Sequence, residues 1–318
     1  MPADHAIVDW GTSNFRIWLL DRDGEILAEQ RSNEGMIHTS ANGFASVLES
    51  HLAALGADEQ LPVMVCGMAG SRQGWHEAPY LDLPAHLASL AEKSVKVPAI
   101  ARSVHILPGL AQRNSRAPDV MRGEETQLLG AAMLRPDLFS AGTAACMPGT
   151  HSKWVRLEKE RVTGFATFMT GELYNFAASH SILSSMIAAN AGFDPADAGF
   201  AAAVRDSFTD PASIANRLFS ARPARLLGFC QDEAAAPATS GALIGLELAG
   251  ARAFHEAARQ LLLIASGRMA QVYHAAFEAI GLPHEVVDAD IAVRAGLHSA
   301  CINLWPETSA RRLGATRA

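Results

Sequence analysis

Val8-Asp9-Trp10-Gly11-Thr12-Ser13-Asn14-Phe15-Arg16 is the stretch that decides how this 318-residue chain folds. Ile7 and Val8 lead into it, and Phe15, Ile17, Trp18, Leu19 and Leu20 lead out. The pattern is a strand, a tight polar turn and a second strand. Gly11 lets the backbone come close to an anion, and Thr12 and Ser13 bring N–H and hydroxyl donors. Asp9, at the strand end, can hold Mg²⁺, usually through water. Such a turn can face a phosphate; standing alone it reads first as an ordinary surface hairpin.

An echo further along favours the phosphate reading. Cys146-Met147-Pro148-Gly149-Thr150-His151-Ser152-Lys153-Trp154-Val155-Arg156-Leu157 repeats the plan: an apolar lead-in, Gly-Thr, a polar turn and a strand with bulky apolar residues. Asp23-Gly24 turns the first hairpin into a third strand at about 25–31, and Glu158-Lys159-Glu160 turns the second into one at about 161–168. Each half therefore opens with a three-strand meander, as a duplicated phosphate-gripping unit would.

Composition sets the limits. With 49% hydrophobic and 19% charged residues the chain is long enough for two cored domains, and the short segment 136–142 before the second meander is the expected boundary, giving domains 1–138 and 139–318. A net charge of -7 argues against nucleic acid or an anionic membrane as partner. Cys66, Cys146, Cys230 and Cys301 are far apart and read as reduced core thiols, neither a disulfide framework nor a zinc site. With no secretory leader pattern and no apolar run of about 18 residues, a cytoplasmic protein is expected.

Taken in order, residues 42–55 have helical apolar spacing and 61–66 read as a buried strand. That strand ends in Gly67-Met68-Ala69-Gly70-Ser71-Arg72-Gln73-Gly74-Trp75, where glycines let a ligand approach and Arg72 can reach it, or where a solvated arginine simply sits in a turn. A strand is expected at 104–107, loop at 112–118, and a helix over 119–134 whose positive end carries Glu124 and Glu125. Successive helical residues point about 100° apart, so at most one of these glutamates can project into a site. Further helices are expected near 175–191, 195–208, 211–220 and 240–259. A strand at 259–264 then ends in Ala265-Ser266-Gly267 before a helix at 269–280, a turn suited to a base or to phosphate oxygens. Strand 284–288 and helix 291–304 close the fold, and Arg311, Arg312 and Arg317 lie in a frayed tail.

Five separated segments together resemble the 2-dehydro-3-deoxygalactonokinase family: Asp9 to Arg16, Gly67 to Trp75, Met121-Arg122-Gly123-Glu124-Glu125-Thr126-Gln127, Pro148 to Trp154, and Phe168-Met169-Thr170-Gly171-Glu172. The resemblance runs through nearly the whole chain. It implies an α/β actin-like ATPase fold, two ribonuclease-H-like domains around a central ATP cleft that closes on its ligands. The implied reaction moves the γ-phosphate of ATP to the 6-hydroxyl of 2-dehydro-3-deoxy-D-galactonate. On this sequence the resemblance puts Gly11, Thr12, Ser13 and Gly149, Thr150, His151 on the phosphates, Asp9 on Mg²⁺, Ser266 and Gly267 near the adenosine, and Glu124 or Glu125 as the base. Arg16 and Lys153 would neutralise phosphate charge, while Arg72, Gln73 and Arg122 would meet the sugar acid, since guanidinium binds carboxylates bidentately. The adenosine turn lacks the adjacent glycines usual in the superfamily, and a Glu pair stands where many relatives have Asn-Asp. Small-molecule partners are implied, with oligomeric state left open, a homodimer included. The alternatives are a kinase for a related sugar acid such as the gluconate epimer, an exopolyphosphatase-like hydrolase, disfavoured by the acidic balance, and a non-enzymatic actin- or chaperone-like nucleotide switch.

Overall fold

The computed structural model describes residues 2–39, 43–139, 142–187, 192–229 and 231–306. Asn42 and Ala191, at the ends of two expected helices, part of the 136–142 boundary, Cys230 and the three tail arginines lie outside the described residues. The chain divides into two compact units. The first takes in residues 1–140, the 158–164 hairpin tip and everything from Ala289 on; the second is 141–157 with 165–288.

In the first unit, β1 (His5–Trp10), β2 (Phe15–Leu20), β3 (Ile26–Ser32), β4 (Val63–Gly67) and β5 (Val104–Ile106) stand in the order β3-β2-β1-β4-β5. β1 pairs in parallel with β4 and β4 with β5, while β2 runs against both neighbours. β4 is buried along its whole length and β1 everywhere except Asp9, as expected of apolar runs in parallel strands covered on both faces. Val47, Leu48 and Leu52 of α1 (Phe44–Ala54) join Trp10, Phe15, Ile17, Val65 and Ile106 in the core.

The second unit repeats the plan. β6 (Thr143–Met147), β7 (Ser152–Glu158), β8 (Arg161–Phe168), β9 (Gln260–Ile264) and β10 (Glu285–Val287) stand in the order β8-β7-β6-β9-β10, with β6, β9 and β10 parallel. Both sheets therefore carry the ribonuclease-H-like arrangement, and the duplicated meanders are the first three strands of each.

Several element bounds differ from expectation for identifiable reasons. The helix expected over 119–134 is only α2 (Glu124–Leu134), because Gly123 at φ 106° stops it; Asp119–Met121 is instead a short strand paired with Leu110–Gln112. The helix expected over 175–191 begins earlier, as α3 (Thr170–His180). It ends at Ser181, whose Oγ accepts the Leu183 N–H at 3.0 Å and opens a 3₁₀ turn. Then follow α4 (Ala198–Thr209), α5 (Ile214–Leu226), α6 (Ala235–Gly250) and α7 (Gly267–Ala279). α6 starts five residues earlier than expected, and Gly241 and Gly245 seat it on α4. A Cβ there would stand 2.5 Å from the Phe200 carbonyl and 2.4 Å from that of Val204.

The last helix, α8 (Ala289–Leu304), falls by sequence in the second half, yet it packs on α2 of the first unit. A Cβ on Gly130 would lie 1.7 Å from the Ala292 carbonyl oxygen, and one on Gly296 would lie 2.1 Å from that of Thr126. Two facing glycines thus let the helix backbones touch and hold the start of α2 in place. Cys66, Cys146 and Cys301 are free and buried, with thiols pushed well up by burial. Among the described residues no helix is long and apolar enough to cross a membrane.

Candidate active site

The expected site residues fall into two sets, one carried by each unit. In the first unit strand register builds the arrangement. Asp9 of β1 stands opposite Arg16 of β2, which stands opposite Arg31 of β3. Arg16 donates to Asp9 Oδ2 at 2.7 Å and also bonds Asp290 at the start of α8, which reaches Arg31 at 3.3 Å. Two arginines directly opposite would repel; the carboxylates of Asp9 and Asp290 offset that charge. Burial pushes the Asp9 carboxyl above its ordinary range despite the pull of Arg16.

The turn beyond β1 projects from this row. The Gly11 N–H bonds the Asn14 carbonyl at 2.9 Å, and Thr12 and Ser13 are exposed. Gly35 backs the turn so closely that a Cβ there would stand 2.3 Å from Ser13. A cavity of about 430 Å³ beside it is lined by Asn14, Arg16, Arg31 and Asn33, a polar hollow next to exposed hydroxyls.

At the end of β4, Gly67 takes φ 86° and a Cβ on it would meet the Trp10 carbonyl at 2.6 Å. The glycines of this loop are therefore filled by the protein's own atoms: Gly70 lies against an Arg122 Nη and Gly74 against the Met68 carbonyl. Arg72 and Gln73 point outward and are exposed. Arg122 folds inward, donates to the Ala78 carbonyl at 2.7 Å and lies 4.4 Å over the Tyr80 ring, while its Nε and Nη1 are buried without a protein acceptor.

The structure sorts the glutamate pair. Glu125 is fully buried; both its oxygens take the Gly123 N–H, at 2.9 and 2.8 Å, and one takes the Thr126 hydroxyl. Glu124 is half-buried and accepts the Arg122 N–H at 3.0 Å. Burial, then the Glu124 charge, pushes the Glu125 carboxyl up to about 8, against the helix-start N–H groups and Arg122. A carboxyl that ionises near 4.5 when unfolded and near 8 when folded binds its proton more tightly in the native state. Stability should therefore fall as pH rises from about 5 to 8, and Glu125→Gln should flatten that slope. Urea unfolding of both proteins at pH 5.5 and 8 measures this, and an equal slope in the variant would contradict it.

In the second unit Met147 holds the position that Asp9 holds in the first, so the two hairpins differ where a metal ligand would sit. Thr150 and His151 are exposed at the turn, and Lys153 stands inside the sheet opposite Met147. The start of α3 seats against this turn: a Cβ on Gly171 would meet the Gly149 carbonyl at 2.5 Å, the Glu172 N–H bonds the Thr150 carbonyl at 3.0 Å, and Glu172 pairs with His151.

Beneath the turn lies a residue that the sequence reading passed over. Glu247 of α6 is buried and accepts from Trp154 Nε1 at 2.9 Å, from the Tyr273 hydroxyl at 2.8 Å and from the Thr170 hydroxyl, while Ser152 bonds Tyr273 at 3.0 Å. Burial pushes its carboxyl up even against those donors. One carboxylate thereby ties the second hairpin, the start of α3 and α7 together. The sole signal for it in the sequence is a lone acidic residue in an Ala/Leu-rich helix.

A cavity of about 460 Å³ opens beside Gly149 and Thr150, with Gly171, Asn175, Ile244 and Arg268 on its wall. Its size suits a nucleoside. The expected Ser266 and Gly267 are not among its lining residues; Arg268 and Met269, next in the chain, are. Arg268 is held 5.1 Å over the Phe193 ring and bonds the Phe193 carbonyl. A larger cavity, about 580 Å³ among α4, α5 and α6, holds none of the expected residues.

With this geometry in view, comparison with known proteins decides the family. The model of the 2-keto-3-deoxy-galactonokinase family matches residues 9–300. The chain belongs to that family. Within it, this galactonokinase-family chain is 50% identical over 302 residues to a protein of Rhizobium meliloti (strain 1021) named "Probable 2-dehydro-3-deoxygalactonokinase", covering 95% of this chain and 98% of the relative. It is 35% identical over 303 residues to the 2-dehydro-3-deoxygalactonokinase of Escherichia coli (strain K12), covering 94% and 98%. A crystal structure from Sinorhizobium meliloti bearing the same enzyme name superposes with a TM-score of 0.90 at 50% identity, over 95% of this chain and 99% of that one.

Proposed function

We propose that this galactonokinase-family chain transfers the γ-phosphoryl group of ATP to the 6-hydroxyl of 2-dehydro-3-deoxy-D-galactonate. The observation that carries the reading is the pair of Gly-Thr turns, each at the end of the central strand of its own ribonuclease-H-like sheet, in a chain that belongs to this kinase family. Residues 1–138 supply the first phosphate turn and the sugar-side loops, and 139–318 the second turn and the adenosine pocket. The work is done in the cytoplasm.

Phosphoryl transfer passes through a loose transition state, so the protein's contribution is in-line positioning and charge neutralisation. Gly11, Thr12 and Ser13 on one turn and Gly149, Thr150 and His151 on the other hold phosphate oxygens, with Arg16 and Lys153 behind them. Nucleoside contacts come from the 460 Å³ cavity, whose wall carries Arg268 and Met269, with Ser266 and Gly267 just before them in the chain. Asp9 fits Mg²⁺: it offers carboxylate oxygens, the donor a hard ion prefers, and burial pushes its carboxyl up, a shift that a nearby dication would oppose. When bound, Mg²⁺ supplies charge neutralisation on the phosphates. Arg72, exposed at the mouth of its loop, pairs with the sugar-acid carboxylate; Gln73 lies beside it, and the inward-facing Arg122 supports the loop from behind. Glu124, the more accessible of the pair, orients the attacking hydroxyl and takes its proton late.

The test is ADP release with Mg·ATP against 2-dehydro-3-deoxy-D-galactonate, its gluconate epimer, free hexoses and no sugar. Selective turnover of the first is the expected result. Preference for another sugar acid would move the substrate and keep the mechanism, and equal slow release in every well would overturn the kinase reading.

A further inference from the structure

On the second unit, His274 and Glu278 lie four residues apart on α7 and so share one face of it. Beyond the helix, Gly281 at φ 67° reverses the chain and brings His284 back to the same place. One ligand atom from each of the three residues lies within 4.8 Å of the others, and both His274 and Glu278 are exposed. From this arrangement we propose that His274, Glu278 and His284 form a binding site for a divalent transition ion of the Zn²⁺ class.

The arrangement is already oriented for a metal. His284 Nδ1 lies 2.9 Å from the Leu282 carbonyl oxygen. A carbonyl only accepts, so the ring proton sits on Nδ1 and the lone pair of Nε2 faces the cluster. A backbone acceptor fixing the tautomer of an imidazole is the usual support behind a metal-ligating histidine. The buried Phe277 ring holds the same imidazole edge-on, centroids 4.8 Å apart at 86°. The lone pair meets His274 Nδ1 at 2.9 Å. Two nitrogens bound tetrahedrally at about 2.0–2.1 Å from zinc stand roughly 3.3 Å apart, so admitting the ion takes a few tenths of an ångström of opening and a turn of the two rings that swings both lone pairs off the N–N line. The proton that His274 Nδ1 shares with His284 then moves to its Nε2, a change of tautomer in an exposed ring with no net loss of a proton. Glu278 contributes an oxygen and a negative charge, and solvent fills the remaining position. Two imidazoles with one carboxylate favour Zn²⁺, Ni²⁺ or Cu²⁺ over Mg²⁺. The bound ion would clamp the end of α7 to the connection into β10.

The experiment uses the full chain, stripped with chelator and titrated calorimetrically with Zn²⁺, and separately with Co²⁺ while its visible absorption is followed. About one tight equivalent of Zn²⁺ is expected, undisturbed by excess Mg²⁺. His284→Ala should abolish that equivalent and the Co²⁺ bands. Glu278→Gln should weaken binding at least about tenfold, the lower end of what even an outer-sphere partner costs. The chain has 12 histidines, so an isotherm unchanged in His284→Ala would place the ion elsewhere and overturn the proposal, as would the absence of a tight equivalent in the unaltered chain. Should His284→Ala fail to fold, His274→Ala on the exposed face carries the same expectation.

Discussion

Glu124→Gln is expected to lower kcat by about 10²–10⁴-fold, the usual contribution of a positioned general base, while Glu125→Gln keeps most of the turnover. The asymmetry follows from what each carboxylate touches. Glu125 has no exposed surface, and both of its oxygens are engaged by the Gly123 N–H at the start of α2. A substrate hydroxyl would have to displace that cap to reach it. Glu124, on the same helix turn, is half-buried and accepts a backbone bond from the Arg122 N–H. A glutamine preserves the size of either side chain and leaves an amide oxygen to accept those bonds, so loss at Glu124 alone reports proton transfer. Steady-state kinetics at saturating ATP and sugar acid decide the matter. Wild-type turnover in both variants removes the base assignment, and loss confined to Glu125 moves the role one residue along the helix.

The second large effect is on stability. Glu247→Ala should cost at least about 3 kcal/mol, because it leaves the Trp154 indole, the Thr170 hydroxyl and the Tyr273 hydroxyl without their acceptor, at about 1–3 kcal/mol for each buried group left unsatisfied. These donors belong to β7, the start of α3 and α7, so the second hairpin and the wall of the neighbouring cavity loosen together. KM for ATP should therefore rise more than kcat falls. Urea unfolding measures the first effect and ATP titration the second. A stability change under about 1 kcal/mol with unaltered KM would show that the other contacts hold the turn without Glu247.

Much of the fold could be read from local patterns. Both meanders follow from strand-length apolar runs punctuated by Gly-Thr and by Asp23-Gly24 or Glu158-Lys159-Glu160. The structure places the third strands at Ile26–Ser32 and Arg161–Phe168, nearly where those turns put them. Helix ends were less legible. Gly123 stops α2 on its N-terminal side through a backbone conformation, and Ser181 ends α3 through a side-chain bond that depends on the following turn.

The sequence by itself determined the duplicated architecture, the two phosphate-suited turns, the carboxylate at the end of β1 and a glutamate pair of which one at most could act. Each of these depends on residues close together in the chain, where alternation, turn chemistry and helix geometry suffice. Only the tertiary structure decided which glutamate is buried, that Arg122 turns inward while Arg72 stays exposed, and that Glu247 secures the second hairpin. It alone brought Gly130 of α2 against α8 and so joined the last helix to the first unit. Those outcomes depend on partners far apart in the chain, 44 residues for Arg122 and Ala78 and 93 for Glu247 and Trp154. Burial and hydrogen-bond satisfaction are properties of that assembled neighbourhood, which no local pattern encodes.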